Sequence, residues 1–206
     1  MDIIHDNAAD LSALNGKTIA VIGYGAQGRA QALCMRDSGV NVIIGVRPGK
    51  SFDAATQDGF QVMTVAEAAD KADIIHILLP DESHGSVYEA EIKPHLKAGK
   101  TLCCSHGFAY VFNTIVPPAD VDVIMVAPKG PGTEVRRVFE EGFGCPGLIA
   151  VHQNPSGKAR DVALAMAKAE GLTRGGVLEC TMAQETYEDL FGEQNAYQKL
   201  ERFRLS

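Results

Sequence analysis

Residues 17–28 read Lys-Thr-Ile-Ala-Val-Ile-Gly-Tyr-Gly-Ala-Gln-Gly. A short apolar, β-rich run feeds straight into Gly23, Gly25 and Gly28, and a helix-like segment follows through Ala30, Gln31, Ala32, Leu33 and Met35. Strand, tight turn and helix start in that order make the cradle of a dinucleotide pyrophosphate. The first glycine permits the turn, the second lets the backbone approach the phosphates, and the third lets helix and strand pack closely. The helix start then offers unpaired N–H groups and a partial positive charge. A glycine-rich turn also occurs as a purely structural βα connection, so the motif gains its weight from its place after a strand near the N-terminus.

The pattern repeats outward from this stretch. Short apolar runs at 17–22, 41–46, 73–79, 100–105, 121–127 and 147–151 are the expected strands, and 27–38, 52–58, 65–71, 83–97, 133–141 and 156–170 the expected helices. The runs are continuously apolar rather than alternating, as in strands covered on both faces. Regular βα alternation predicts an α/β fold, a Rossmann-like, doubly wound, mostly parallel sheet. Near residue 181 the β-rich pattern yields to an acidic, helix-like tail. This divides the chain into an expected nucleotide-binding domain over 1–181 and a helical extension over 182–206.

Composition narrows the classes of function. With 206 residues, 46% hydrophobic and 22% charged, the chain can bury one sizeable core. A net charge of −7 argues against a nucleic-acid or anionic-membrane binder. No apolar run approaches the ~20 residues of a membrane span, and the opening Met-Asp-Ile-Ile-His-Asp does not read as a signal peptide. Five cysteines without C-x-x-C or metal-finger spacing fit reduced thiols in a cytoplasmic protein.

The end of the second expected strand bears on the cofactor. Where NAD-binding versions of this fold place an Asp or Glu, this chain has Gly45-Val-Arg47-Pro-Gly-Lys50-Ser51. Arg47, Lys50 and Ser51 suit a 2′-phosphate, because a guanidinium fork matches phosphate geometry and a hydroxyl adds a hydrogen bond. NADPH is therefore expected over NADH; an exposed loop with incidental basic residues is the competing reading.

Longer motifs then converge. Gly23-Tyr-Gly-Ala-Gln-Gly28, Arg36-Asp-Ser-Gly39, Leu79-Pro-Asp-Glu82, Tyr88-Glu-Ala-Glu-Ile92, His106-Gly-Phe108, Pro117-Pro-Ala-Asp-Val-Asp-Val123, Ala127-Pro-Lys-Gly-Pro-Gly132 and Asp189-Leu-Phe-Gly-Glu-Gln194 occur in that order. In these motifs the chain resembles the N-terminal part of ketol-acid reductoisomerase, the acetohydroxy-acid isomeroreductase of isoleucine and valine biosynthesis. The resemblance implies a two-step reaction on 2-acetolactate or 2-aceto-2-hydroxybutyrate. Two Mg²⁺ ions promote an alkyl migration, and NADPH then reduces the resulting 2-keto acid to a 2,3-dihydroxy acid.

It also implies residue roles. Tyr24, Gly25, Ala26 and Gln27 would meet the cofactor phosphates, Arg47 and Ser51 the 2′-phosphate, and Asp81, Glu82, Ser83, His84 and Gly132 the rest of the cofactor. His106 matches the family's active-site histidine; it follows an apolar strand, where α/β sheets bind ligands, and its pKa range suits proton transfer. Asp189 and Glu193 match magnesium ligands, and their i, i+4 spacing puts both carboxylates on one helix face. Read alone, an acidic helix with Glu185 and Glu188 nearby is more simply a solvated face.

The family continues into a helical, knotted domain that supplies two more metal-binding carboxylates and a substrate-binding serine. This sequence runs 13 residues past Glu193. Two carboxylates cannot fill the first shells of two octahedral Mg²⁺ ions, so a partial metal site is expected. Arg29, Cys103-Cys104-Ser105, Ala109-Tyr110 and Thr133-Glu134 also depart from the usual family residues and put the substrate in doubt. Three readings therefore remain: an isomeroreductase completed by a partner, a reductase acting only on a 2-keto acid with His106 as proton donor, or a non-catalytic NADPH-binding module. A homo-oligomer, or a partner over the C-terminal helix, is expected in each.

Overall fold

The computed structural model describes residues 2–190. Eight strands form one sheet in the order β3-β2-β1-β4-β5-β6-β7-β8. They are β1 Thr18–Ile22, β2 Asn41–Gly45, β3 Gln61–Met63, β4 Ile74–Ile77, β5 Thr101–Cys104, β6 Asp122–Pro128, β7 Gly147–Gln153 and β8 Val177–Glu179. β1 to β6 pair in parallel, β7 runs antiparallel to β6, and β8 is parallel to β7. The helices are α1 Ala26–Asp37, α2 Lys50–Gln57, α3 Val65–Lys71, α4 Asp81–Val87, α5 Phe108–Val111, α6 Gly132–Glu140, α7 Ala159–Ala169 and α8 Leu172–Gly175, followed by a helix over 182–190, here α9.

The expected doubly wound sheet is present, with the order reversing between β1 and β4. The side chains of β1 show why both faces are covered. Ile19 and Val21 enter one buried cluster with α1 and α7, and Ala20 and Ile22 enter another with α3 and the segment after α4. Successive strand residues point to opposite faces, so a strand apolar throughout needs two cores.

Four expectations change. β3 and β8, three residues each, are too short to stand out as apolar runs. The helix expected over 83–97 starts earlier, at Asp81, and breaks up: α4 ends at Val87, a π-turn covers Tyr88–Ile92, and a 3₁₀ turn covers Lys93–His95. Pro94, without an N–H, cannot continue the α-helical ladder. The helix expected over 156–170 begins only at Ala159, because Ser156 and Asn154 are drawn into side-chain bonds with Asp122 and the Ala159 N–H. α5, which starts after Gly107, falls where neither a strand nor a helix is expected.

Candidate active site

The cleft of about 840 Å³ lies at the carboxyl ends of β1 and β4, the switch point of the sheet, where doubly wound sheets bind ligands. Its walls include Gly23, Gly25, Ala26 and Gln27 from the glycine loop and Asp81 and His84 from α4. Ser105 and His106 follow β5, Lys129 and Gly130 follow β6, and Glu185 and Asp189 come from α9.

Each glycine of the loop has its own steric reason. Gly23 has φ +100°, a conformation open mainly to glycine. A Cβ on Gly28 would run into the carbonyl oxygen of Gly23, so α1 can start against β1 only without a side chain there. Among the described residues, a Cβ on Gly25 would meet nothing within 4 Å. Gly25 therefore faces open cleft at the N-terminus of α1, and the loop fits a pyrophosphate laid along its backbone. Gly132 has another role: a Cβ there would strike the Ala26 carbonyl, so the α6 start presses directly on the α1 start.

Other predicted residues distribute unevenly. Ser51 lines both the main cleft and an adjoining cavity of about 250 Å³, whose walls also include Arg47, Ser83 and one carboxylate, Glu91. Lys50 is exposed at the first turn of α2, and Glu82 is exposed on α4. The Tyr24 side chain is buried; its hydroxyl donates to Asp58 at 2.8 Å and its ring packs edge-on against Phe60. His84 is buried too, with Nε2 2.7 Å from the Leu79 carbonyl, a bond that seats α4 on the strand end. Glu193 lies outside the described residues.

A polar cluster in the cleft surrounds His106. Its Nδ1 lies 3.0 Å from Glu185 Oε2, and the same oxygen accepts the Gly107 N–H at 3.0 Å. Lys129 Nζ stands 3.5 Å from Glu185 and 3.7 Å from Asp189, and Asp189 is 3.9 Å from His106 Nδ1. The hydrogen bond with Glu185 raises the His106 pKa above its ordinary value, against the opposing effect of burial. For Glu185, burial pushes upward, but bonds from His106 and the Gly107 N–H and the Lys129 charge outweigh it, so the carboxyl is held low and ionised. Among the described residues, no hydrogen bond reaches His106 Nε2, which leaves that nitrogen for a ligand.

Glycine again decides the geometry. A Cβ on Gly107 would come within 2.6 Å of Thr186 Oγ1 and 2.7 Å of the Met182 carbonyl. Only glycine lets α9 lie close enough for Glu185 to reach the backbone beside His106. His106, Glu185 and Asp189 offer ligand atoms within 4.8 Å of one another. Their carboxylates are the hard oxygen donors that Mg²⁺ prefers, and the half-exposed Asp189 is the freer of the two.

Sequence reading gave no role to Lys129 or Glu185. Two signals were available: Lys129 follows an apolar strand as His106 does, and Glu185 stands four residues before Asp189, one helical turn away on the same face.

A mostly parallel sheet with a glycine loop at its switch point defines a Rossmann-like dinucleotide-binding domain. Comparison with known proteins specifies which. Residues 13–176 match the family described as "Acetohydroxy acid isomeroreductase, NADPH-binding domain", and the chain belongs to that family. It is 97% identical over 195 residues, 95% of its length, to the ketol-acid reductoisomerase (NADP(+)) of Akkermansia muciniphila. It is 61% identical over 200 residues, 94% of its length, to the ketol-acid reductoisomerase (NAD(+)) of the uncultured archaeon GZfos26G2. In each case it spans 60% of the relative. A solved structure of an NADH-preferring ketol-acid reductoisomerase from an uncultured archaeon superposes with a TM-score of 0.92 at 62% identity, over 94% of this chain and 60% of the other. Among the described residues, no helix is long and apolar enough to cross a membrane.

Proposed function

We propose that the chain is the nucleotide-binding part of an NADPH-dependent ketol-acid reductoisomerase, acting on 2-acetolactate or 2-aceto-2-hydroxybutyrate in isoleucine and valine biosynthesis. One observation carries the reading: His106, Lys129, Glu185 and Asp189 gather in the same cleft as the glycine loop. A site for binding alone has no need of a buried carboxylate that orients a histidine.

NADPH would supply hydride and Mg²⁺ Lewis acidity when bound. We assign the phosphates to the backbone of Tyr24, Gly25, Ala26 and Gln27. The 2′-phosphate goes to Arg47, Lys50 and Ser51, and the remainder of the cofactor to Asp81, Glu82, Ser83, His84 and Gly132. Glu185 fixes the His106 ring through Nδ1, so that Nε2 can hold or pass a proton at the substrate oxygen. Lys129 brings positive charge to the point where that oxygen becomes negative. Asp189 is on the side of the cleft that would hold Mg²⁺, and Glu193 is the second ligand we assign from the sequence motif.

We place the reaction in the cytoplasm; all five cysteines are free and four are buried. A second copy or a further domain is the partner we expect over α9, where Tyr187 is 59% exposed.

The test is NADPH consumption by the purified chain with Mg²⁺, comparing 2-acetolactate with 3-hydroxy-3-methyl-2-oxobutanoate, the migrated intermediate. Turnover of both supports the full reaction. Turnover of the intermediate alone indicates that the reductive half works here and that migration needs groups beyond this chain. Tight NADPH binding without turnover of either overturns the assigned chemistry.

A further inference from the structure

Position 76 lies in the middle of β4, paired with Val21 of β1 and Cys103 of β5, with Ile75 and Ile77 on either side. An apolar residue would suit this position. Instead His76 is there, with no exposed surface. Its Nε2 lies 3.1 Å from Ser105 Oγ. The Ser105 hydroxyl donates its one proton to the Val126 carbonyl at 2.7 Å, so His76 Nε2 must be the donor, which sets the tautomer. Among the described residues, Nδ1 is then an acceptor without a hydrogen-bond partner, 4.0 Å from the equally buried Glu170.

The chain of bonds continues toward the cleft. The fully buried Gln31 amide donates to Ser105 Oγ at 3.3 Å and to Gln27 Oε1 at 3.1 Å. Gln27 Nε2 donates to the Gly130 carbonyl at 2.9 Å. The chain therefore ends on two cleft walls, the glycine loop and the loop that carries Lys129. An amide can rotate to other partners unless its neighbours are fixed, and here the neighbour that fixes it is Ser105, held between the Val126 carbonyl and His76.

We propose that His76 is a positioning residue: through Ser105, Gln31 and Gln27 it holds the glycine loop and the Lys129–Gly130 loop in register and thereby sets dinucleotide affinity. The inference rests on reading the cleft as an NADPH site.

The test uses the whole chain and four variants: His76→Leu, His76→Gln, Ser105→Ala and the double variant His76→Leu/Ser105→Ala. NADPH affinity is measured by fluorescence titration, and amide exchange over 25–31 and 129–132 is measured without nucleotide. His76→Leu and Ser105→Ala should each weaken NADPH about tenfold, the effect of one lost hydrogen bond, and speed exchange in both segments. The double variant should lose no more than either single one. His76→Gln, which keeps an N–H near the Nε2 position, should recover affinity to within about threefold. A merely structural role would lower the unfolding midpoint of His76→Leu and leave the Gln variant as weak as the Leu variant. Affinity within about twofold of the parent with unchanged exchange overturns the proposal, as do losses that add. If the parent chain binds no NADPH, the cofactor reading falls, and the exchange of the two segments decides the network separately. Should His76→Leu not fold, Ser105→Ala and His76→Gln answer the same question.

Discussion

Replacing Gly107 by alanine tests how the His106 site is assembled. The backbone there (φ −80°, ψ −7°) suits any residue, so the effect is steric alone. The new Cβ would stand 2.7 Å from the Met182 carbonyl, roughly 0.7 Å short of the 3.4 Å at which ordinary contact begins. α9 must retreat by about that distance, which takes Glu185 Oε2 from 3.0 Å to beyond hydrogen-bond range of the Gly107 N–H. Keeping the helix in place would cost about 1–3 kcal/mol of overpacking; moving it forfeits a charge-assisted bond of about 1.5–3 kcal/mol. These are alternatives rather than a sum, so the expected loss is about 2 kcal/mol. By hydrogen exchange, the Gly107 amide and the 182–190 helix should lose roughly 30-fold in protection, since about 1.4 kcal/mol is tenfold. NADPH binding should persist, because the clash falls on Thr186 and Met182 of α9 rather than on the glycine loop, while turnover falls. Exchange of the Gly107 amide within about threefold of the parent would refute the packing argument.

Other expectations follow from the same geometry. Gly25→Ala should leave stability unchanged or up to ~1 kcal/mol higher, since its Cβ meets nothing, yet weaken NADPH by more than about tenfold. Gly28→Ala, whose Cβ meets the Gly23 carbonyl, should instead lower the unfolding midpoint in urea. Arg47→Ala should weaken NADPH by about 10- to 100-fold and leave NADH within about threefold; equal losses for both cofactors would remove Arg47 from the 2′-phosphate. The buried pair predicts how stability varies with pH. Burial lowers His76 to about 3, so stability falls as pH drops below the unfolded value of about 6.5 and continues to fall toward 3. Burial raises Glu170 well above a normal carboxyl, so stability also falls as pH rises above about 4.3 toward its folded value. Between about 4.3 and 6.5 the two slopes oppose each other. Glu170→Gln should abolish the alkaline fall, as read by urea denaturation from pH 5 to 9; an unchanged slope would show that the carboxyl is ionised in the folded chain.

The fold was legible because its signals are local. Ile19 to Ile22 read as a strand buried on both faces, and Gly23, Gly25 and Gly28 marked the turn; the cores and the glycine contacts both follow from that stretch. β3, β8 and α5 were not legible: each has four residues or fewer, under two periods of its own pattern and so no repeat to read. His106 and Asp189 were named because they sit in long motifs. Glu185 looked like one of several acids on a solvated helix, and its isolation from water depends on how close α9 comes to Gly107.

The amino-acid sequence by itself determined the doubly wound sheet, the dinucleotide loop and the family, since all three rest on short-range order along the chain. Only the tertiary structure decided which side chains share the site. Lys129, His106 and Glu185 come from three separate elements, and they meet because parallel strands bring their carboxyl ends to one edge and a glycine leaves room for the last helix. The same holds for His76 and Ser105, 29 residues apart in sequence and joined by one hydrogen bond. Contacts between distant positions depend on register and on distances of a few tenths of an ångström, and neither is written in composition or spacing.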